Sequence, residues 1–156
     1  MKILMLAGSL HRIGGIEKYN NDFFNSINKL NHEIIIIDRK PGGMLAKLLF
    51  FITSFIMFFK IKPDYIICAH LNFLPILYLL NKFKAVPYSI SIYGIEIIPD
   101  LSKIIKSSIK KSDRVITISN YTKNLILDKF PNIENKIYML KSSINGEAFS
   151  IIKKDK

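Results

Sequence analysis

Three stretches of this sequence carry residue types that could do chemistry. The first is Gly8-Ser9-Leu10-His11-Arg12-Ile13-Gly14-Gly15-Ile16-Glu17. Glycines let a backbone approach a ligand, and a helix N-terminus offers unpaired N–H groups to an anion. Gly14 and Gly15 therefore read either as a phosphate contact or as a tight strand-to-helix turn. The loop lacks the G-x-G-x-x-G of dinucleotide sites and the Gly-Lys-Ser/Thr of a P-loop. The second stretch is Ser91-Ile92-Tyr93-Gly94-Ile95-Glu96-Ile97. Gly94 permits an unusual backbone angle. Tyr93 and Glu96 read either as site residues or as a packed ring and a solvated carboxylate. The third runs from Asp113 to Lys123, where Ser119 or Asn120 suits a helix N-cap.

The remaining reactive residues are sparse. His11, His32 and His70 are too far apart for metal-ligand spacing, and no metal or cofactor is expected; His11 and His70 do stand at strand ends, where a ligand contact is possible. Cys68 is the sole cysteine, so an internal disulfide and a multi-cysteine metal site are both excluded. It lies in the apolar run Tyr65–Ala69 and reads as a small core residue.

Positioning these stretches requires a frame, and the hydrophobic period supplies one. Strand-like runs occur at 2–7, 33–38, 65–69, 87–92, 114–118 and 136–140. Helical spacing occurs at 16–30, 44–60, 73–83, 101–111 and 119–130. Six strands alternating with five helices predict an α/β fold: a doubly wound, Rossmann-like parallel sheet in a single three-layer domain. Ligands of such sheets bind outside the C-terminal strand ends. That rule points to loops 8–15, 69–73, 93–100 and 118–122. Residues 1–149 are read as the domain and 150–156 as a polar tail. Asn145-Gly146 is a turn signal.

The charge is strongly basic. The chain of 156 residues carries a net +11, and its 23 basic residues are 20 Lys against 3 Arg. Base reading and bidentate phosphate recognition favour Arg, so nucleic acid is not the expected partner. A Lys excess fits an anionic membrane surface, a phosphorylated acceptor, plain solubility or the codon bias of an AT-rich genome.

Taken in order, several pieces resemble the N-terminal domain of family-4 retaining glycosyltransferases, which have the two-Rossmann GT-B architecture. They are Gly14-Gly15-Ile16-Glu17, Lys62-Pro63-Asp64-Tyr65-Ile66-Ile67, Tyr93-Gly94-Ile95-Glu96, Ser112 to Ser119, and Lys136-Ile137 with Asn145-Gly146. The resemblance implies one half of a GT-B fold and sugar transfer from a nucleotide-sugar donor to a glycan or lipid-linked acceptor. It implies that Gly14 and Gly15 approach the donor diphosphate, and that Tyr93 and Glu96 occupy the catalytic motif. It further implies acceptor contacts from His11, His70, Gly94, Ser119, Asn120 and Lys123. The family commonly has His where Tyr93 stands, so a His-based role does not carry over to Tyr93. The family's donor-binding domain, with glutamates separated by seven residues, has no counterpart here. The chain alone is therefore expected to be inactive, its partner lobe supplied by a second glycosyltransferase subunit or a longer chain. The alternative is a truncated gene remnant or a non-catalytic membrane-surface module.

Two helices bear on the membrane. In 101–111, Leu101, Ile104, Ile105 and Ile109 share one face and Lys103, Lys106 and Lys110 the other. That pattern suits either a packed surface helix or an anionic-membrane contact. Helix 44–60 is apolar almost all round and is expected to be buried, covered by an absent domain, or dipped into lipid. The expected location is cytoplasmic, with the inner face of the membrane as a peripheral site.

Overall fold

The computed structural model describes residues 1–8 and 14–141. His11, the Asn145-Gly146 turn and the tail 150–156 lie outside the described residues. The elements are β1 (Lys2–Gly8), α1 (Gly15–Asn28), β2 (Glu33–Arg39), α2 (Met44–Ile61) and β3 (Tyr65–Cys68). There follow α3 (Leu74–Phe83), β4 (Tyr88–Ile92), α4 (Lys103–Lys111), β5 (Arg114–Thr117), α5 (Asn120–Lys129) and β6 (Ile137–Met139). Short 3₁₀ turns occupy Leu71–Phe73, Ile95–Ile97 and Pro131–Lys136.

The six strands form one sheet in the order β2-β1-β3-β4-β5-β6. Every pairing is parallel; Leu6 lies between Ile37 and Cys68, and Ile92 stands beside Thr117. Strands covered on both faces read as continuous apolar runs, and Ile3 to Ala7 of β1 are all buried. The doubly wound, Rossmann-like expectation holds.

Strand order also fixes the layers. Only the β1-to-β2 step moves toward one edge of the sheet; every later step moves toward the other. Right-handed crossovers then put α1 alone on one face and α2 to α5 on the opposite face. The larger core joins Leu4, Leu6, Ile66, Ile90, Ile92 and Val115 to buried residues of those four helices. The smaller one joins Ile3, Met5 and Ile67 to Phe23, Phe24 and Ile27 of α1.

Local signals set the helix bounds, two of which differ from the sequence reading by more than a residue: α1 ends at Asn28 rather than Leu30, and α4 starts at Lys103 rather than Leu101. Ser119 Oγ accepts from the Thr122 N–H at 3.2 Å, making Ser119 the N-cap of α5. Ser102 caps α4 in the same way. The left-handed Lys62 (φ 51°) closes α2 just before Pro63. Of the two readings of α4, the structure favours the packed helix: Leu101 and Ile109 are buried and Ile105 is packed against the core. Helix α2 is the converse case. It buries Phe50, Ser54, Phe58 and Ile61 and leaves much of its remaining apolar surface exposed.

Candidate functional site

The three loop regions that sequence reading singled out, so far as they are described, emerge from C-terminal strand ends and share one rim, as a parallel sheet requires. A cleft of about 440 Å³ opens there. It sits where the chain reverses direction across the sheet, at the ends of β2, β1 and β3. Its walls are Gly8, Ile16, Glu17 and Asn20 from the β1–α1 side, and Arg39, Lys40, Pro41 and Gly42 after β2. Ala69, His70, Asn72 and Phe73 after β3 complete it.

His70 is held by its neighbours. Its Nδ1 accepts from the Asn72 N–H at 3.1 Å, capping the turn at Leu71–Phe73. That leaves the proton of the neutral ring on Nε2. Burial lowers the imidazole below its usual 6.5; Glu96 opposes the shift, Arg39 adds to it and Glu17 opposes it. At neutral pH the ring is therefore an uncharged donor.

Tyr93 backs this wall. Its hydroxyl donates to Asn20 Oδ1 at 2.6 Å. Its ring lies 6.5 Å from that of His70 and meets Tyr19 edge-on at 5.6 Å. Burial raises the Tyr93 phenol well above its ordinary 10, so it stays protonated and cannot serve as a base. Tyr19 is raised to about 12 by the same cause, and its hydroxyl donates to the Leu140 carbonyl at 3.1 Å.

Glu96 turns back on its own loop: its Oε1 accepts from the Tyr93 N–H at 2.6 Å. Gly94 between them has φ +137°, a conformation that favours glycine. A Cβ there would meet Thr122 Oγ1 at 3.3 Å. Thr122 in turn donates to the Tyr93 carbonyl at 3.1 Å and lies 3.1 Å from Ser119 Oγ. Ser119 and Thr122 thus tie the start of α5 to the Tyr93-Gly94 loop.

The sequence-derived candidates consequently separate into groups. His70 lines the cleft, and Tyr93 packs behind it. Gly14 and Gly15 open α1 beside it, with no side chain capping the helix N-terminus. Ser119, Asn120 and Lys123 share the rim but do not line the cleft. The Lys123 ammonium contacts Glu134 at 3.0 Å, and Asn120 is exposed. Sequence reading overlooked Tyr19, Asn20, Arg39, Lys40 and Asn72. The Asn20 position did carry a signal, since an amide next to Tyr19 on the apolar face of α1 is an anomaly. Among the described residues, no group of three His, Cys, Asp or Glu could hold a metal ion. The arrangement offers neutral donors, two cations, the Glu17 carboxylate lying against Gly14, and a glycine-opened helix terminus. That set suits binding and orienting a polyhydroxylated or anionic ligand.

No protein-family model matches this sequence, and no curated protein matches it. Solved structures do. The apo form of the lipopolysaccharide outer core galactosyltransferase WaaB is similar over 92% of this chain and 46% of its own, at 17% identity and TM-score 0.62. Anabaena Alr3699/HepE in complex with UDP-glucose is similar over 92% and 44%, at 14% identity and TM-score 0.63. The same protein with UDP gives 14% identity and TM-score 0.61. The chain spans less than half the length of these structures. Its fold is that of one Rossmann-like half of a GT-B glycosyltransferase.

Proposed function

We propose that this chain is the acceptor-side half of a nucleotide-sugar glycosyltransferase of the family-4 retaining type. The observation that carries the reading is the cleft at the strand-order reversal, bounded by the glycine-opened α1 and by His70 with Tyr93 behind it. In this reading a second lobe, in another polypeptide or in a longer one, binds most of the donor. Gly14 and Gly15 let the backbone of α1 close on the donor diphosphate, where helix N–H groups stabilise the leaving charge. The neutral His70 donates from Nε2 to a sugar or acceptor hydroxyl. Tyr93 and Glu96 act as positioning residues, since the Tyr93 hydroxyl and Glu96 Oε1 each already have an intramolecular partner. Ser119, Asn120 and Lys123 contact a larger acceptor at the rim. Catalysis is then mainly positioning across two lobes, at a cytoplasmic membrane face where the acceptor is a glycan or lipid-linked sugar.

The test is a donor panel of nucleotide sugars, with the chain alone and with its genomic neighbours encoding a second Rossmann lobe. The chain alone should give no turnover above background, and its rim resonances should shift on adding acceptor saccharides. Turnover by the chain alone would refute the half-site assignment. Rim resonances indifferent to every saccharide and nucleotide sugar would refute the ligand class. A second reading, a non-catalytic membrane-surface module, is favoured by one observation: the apolar surface that α2 leaves exposed.

A further inference from the structure

Helix α2 is 18 residues long with a mean hydropathy of 2.0, long and apolar enough to cross a membrane by length and composition. The fold rules that placement out for this helix. Phe50, Ser54, Phe58 and Ile61 recur at helical spacing and are buried. Phe50, Phe58 and Ile61 belong to the main core, so one side of the helix is committed to the sheet. At about 100° per residue the opposite side carries Leu45, Leu48, Leu49, Ile52, Ile56 and Phe59. All six are exposed, Ile56 at 60% and Phe59 at 50%. The end of α3 extends the patch: Phe83 is 67% exposed and meets Phe59 and Phe55 edge-on at 5.8 and 6.0 Å. Contiguous apolar surface of this kind is uncommon on monomers and marks an interaction site.

Charge identifies the occupant. Between residues 39 and 95 the chain carries seven basic residues and a single acidic one, Asp64. Lys60 and Lys84 are exposed next to Phe59 and Phe83, at the end of the patch that those two rings build. An apolar face with lysines at its end, and Asp38 as the one acid lining a pocket with Leu49, matches the acyl and headgroup layers of an anionic leaflet. A second copy of this chain, whose net charge is +11, would set those lysines against its own.

We propose that α2, with Phe83, is an interfacial docking surface for an anionic lipid membrane, the helix lying along the leaflet with its outer side immersed. This stands independently of the glycosyltransferase reading. It adds one consequence to it: the Pro41-Gly42 wall of the cleft adjoins the start of α2, so a lipid-borne acceptor would meet the cleft at the membrane surface.

The test uses the full chain with vesicles of phosphatidylcholine, with and without roughly 30% phosphatidylglycerol. The chain should pellet with the anionic vesicles at least about tenfold more strongly, and salt should weaken this. Ile56→Glu with Phe59→Glu should abolish pelleting while leaving far-UV circular dichroism unchanged. Lys60→Glu with Lys84→Glu should remove the anionic preference. The sequence contains no tryptophan, so Phe83→Trp provides a single reporter whose emission should shift to the blue on vesicle addition and be quenched by brominated lipid. A chain that stays in the supernatant, or a folded Ile56→Glu/Phe59→Glu variant that pellets as before, would overturn the proposal. So would an unshifted Phe83→Trp emission. A dimer in light scattering that the same double variant dissociates, with no vesicle binding, would reassign the face to a second copy.

Discussion

The Tyr93 hydroxyl donates to Asn20 Oδ1 at 2.6 Å across 73 positions of sequence, and Asn20 is almost fully buried. This bond joins the loop after β4 to the helix that opens beside the cleft. Replacing Tyr93 with Phe keeps the ring contacts but deprives a buried amide oxygen of its donor. The expected loss is about 1–3 kcal/mol of stability, read from urea unfolding. If the variant unfolds at the same midpoint as the parent, the bond carries no stability.

Two glycines at the rim should respond in opposite ways to alanine. Gly94 has φ +137° and Thr122 Oγ1 in the way, so Gly94→Ala should destabilise by about 1–3 kcal/mol. Gly15 is the first residue of α1 with open space around its Cα, so Gly15→Ala should be neutral or stabilising by about 0.4–1 kcal/mol. On the proposed reading, in which the donor phosphate approaches this turn, the same Gly15→Ala change should still reduce turnover once a partner lobe is present. Thermal unfolding and a reconstituted transfer assay separate the two effects.

His70 makes folding depend on pH in a stated direction. Its pKa is lowered in the folded chain, mainly by burial, so below its usual 6.5 the unfolded chain binds the proton more readily. Stability should therefore fall as pH drops through 6.5 and level off once the folded ring also protonates. His70→Asn keeps a side-chain acceptor for the Asn72 N–H and removes the titration. Its urea midpoint between pH 8 and 6 should be flatter than that of the parent, and parallel slopes would exclude His70 as the source.

Cys68 should be silent to thiol reagents while the chain is folded. It is fully buried at the end of β3, and burial pushes its thiol up to about 12. Labelling by a disulfide reagent should then proceed at the rate of opening and accelerate in parallel with urea unfolding. Fast labelling in native buffer would mean that β3 is accessible without unfolding.

The frame of the molecule was readable from sequence because its central strands, β1, β3 and β4, are buried almost throughout. Ile3 to Ala7 and Ile34 to Ile37 form apolar runs that few other elements produce, and the helix start at Ser119 follows from capping chemistry, whereas sequence reading overlooked the Ser102 cap and began its helix at Leu101. The rim was readable too, since parallel topology sends the loops after β1, β3, β4 and β5 to the same edge. What escaped depended on the third dimension. Asn20 reads as a polar intruder on α1 until Tyr93 arrives opposite it. Arg39 and Lys40 look like the ordinary end of a strand, and only the β2-β1-β3 order brings them to His70. An all-apolar helix such as α2 suggests burial, but composition does not say which side finds a partner. The uneven layering followed from strand order, which hydrophobic period alone does not supply.

The bond from Tyr19 to the carbonyl of Leu140 has a mechanical meaning. Leu140 is where the backbone leaves the last strand, so the exit path is moored to the same ring that leans on Tyr93. Anything attached beyond that point and swinging relative to the sheet would pull on Tyr19 first, and the strain would reach the wall of the cleft through one aromatic contact.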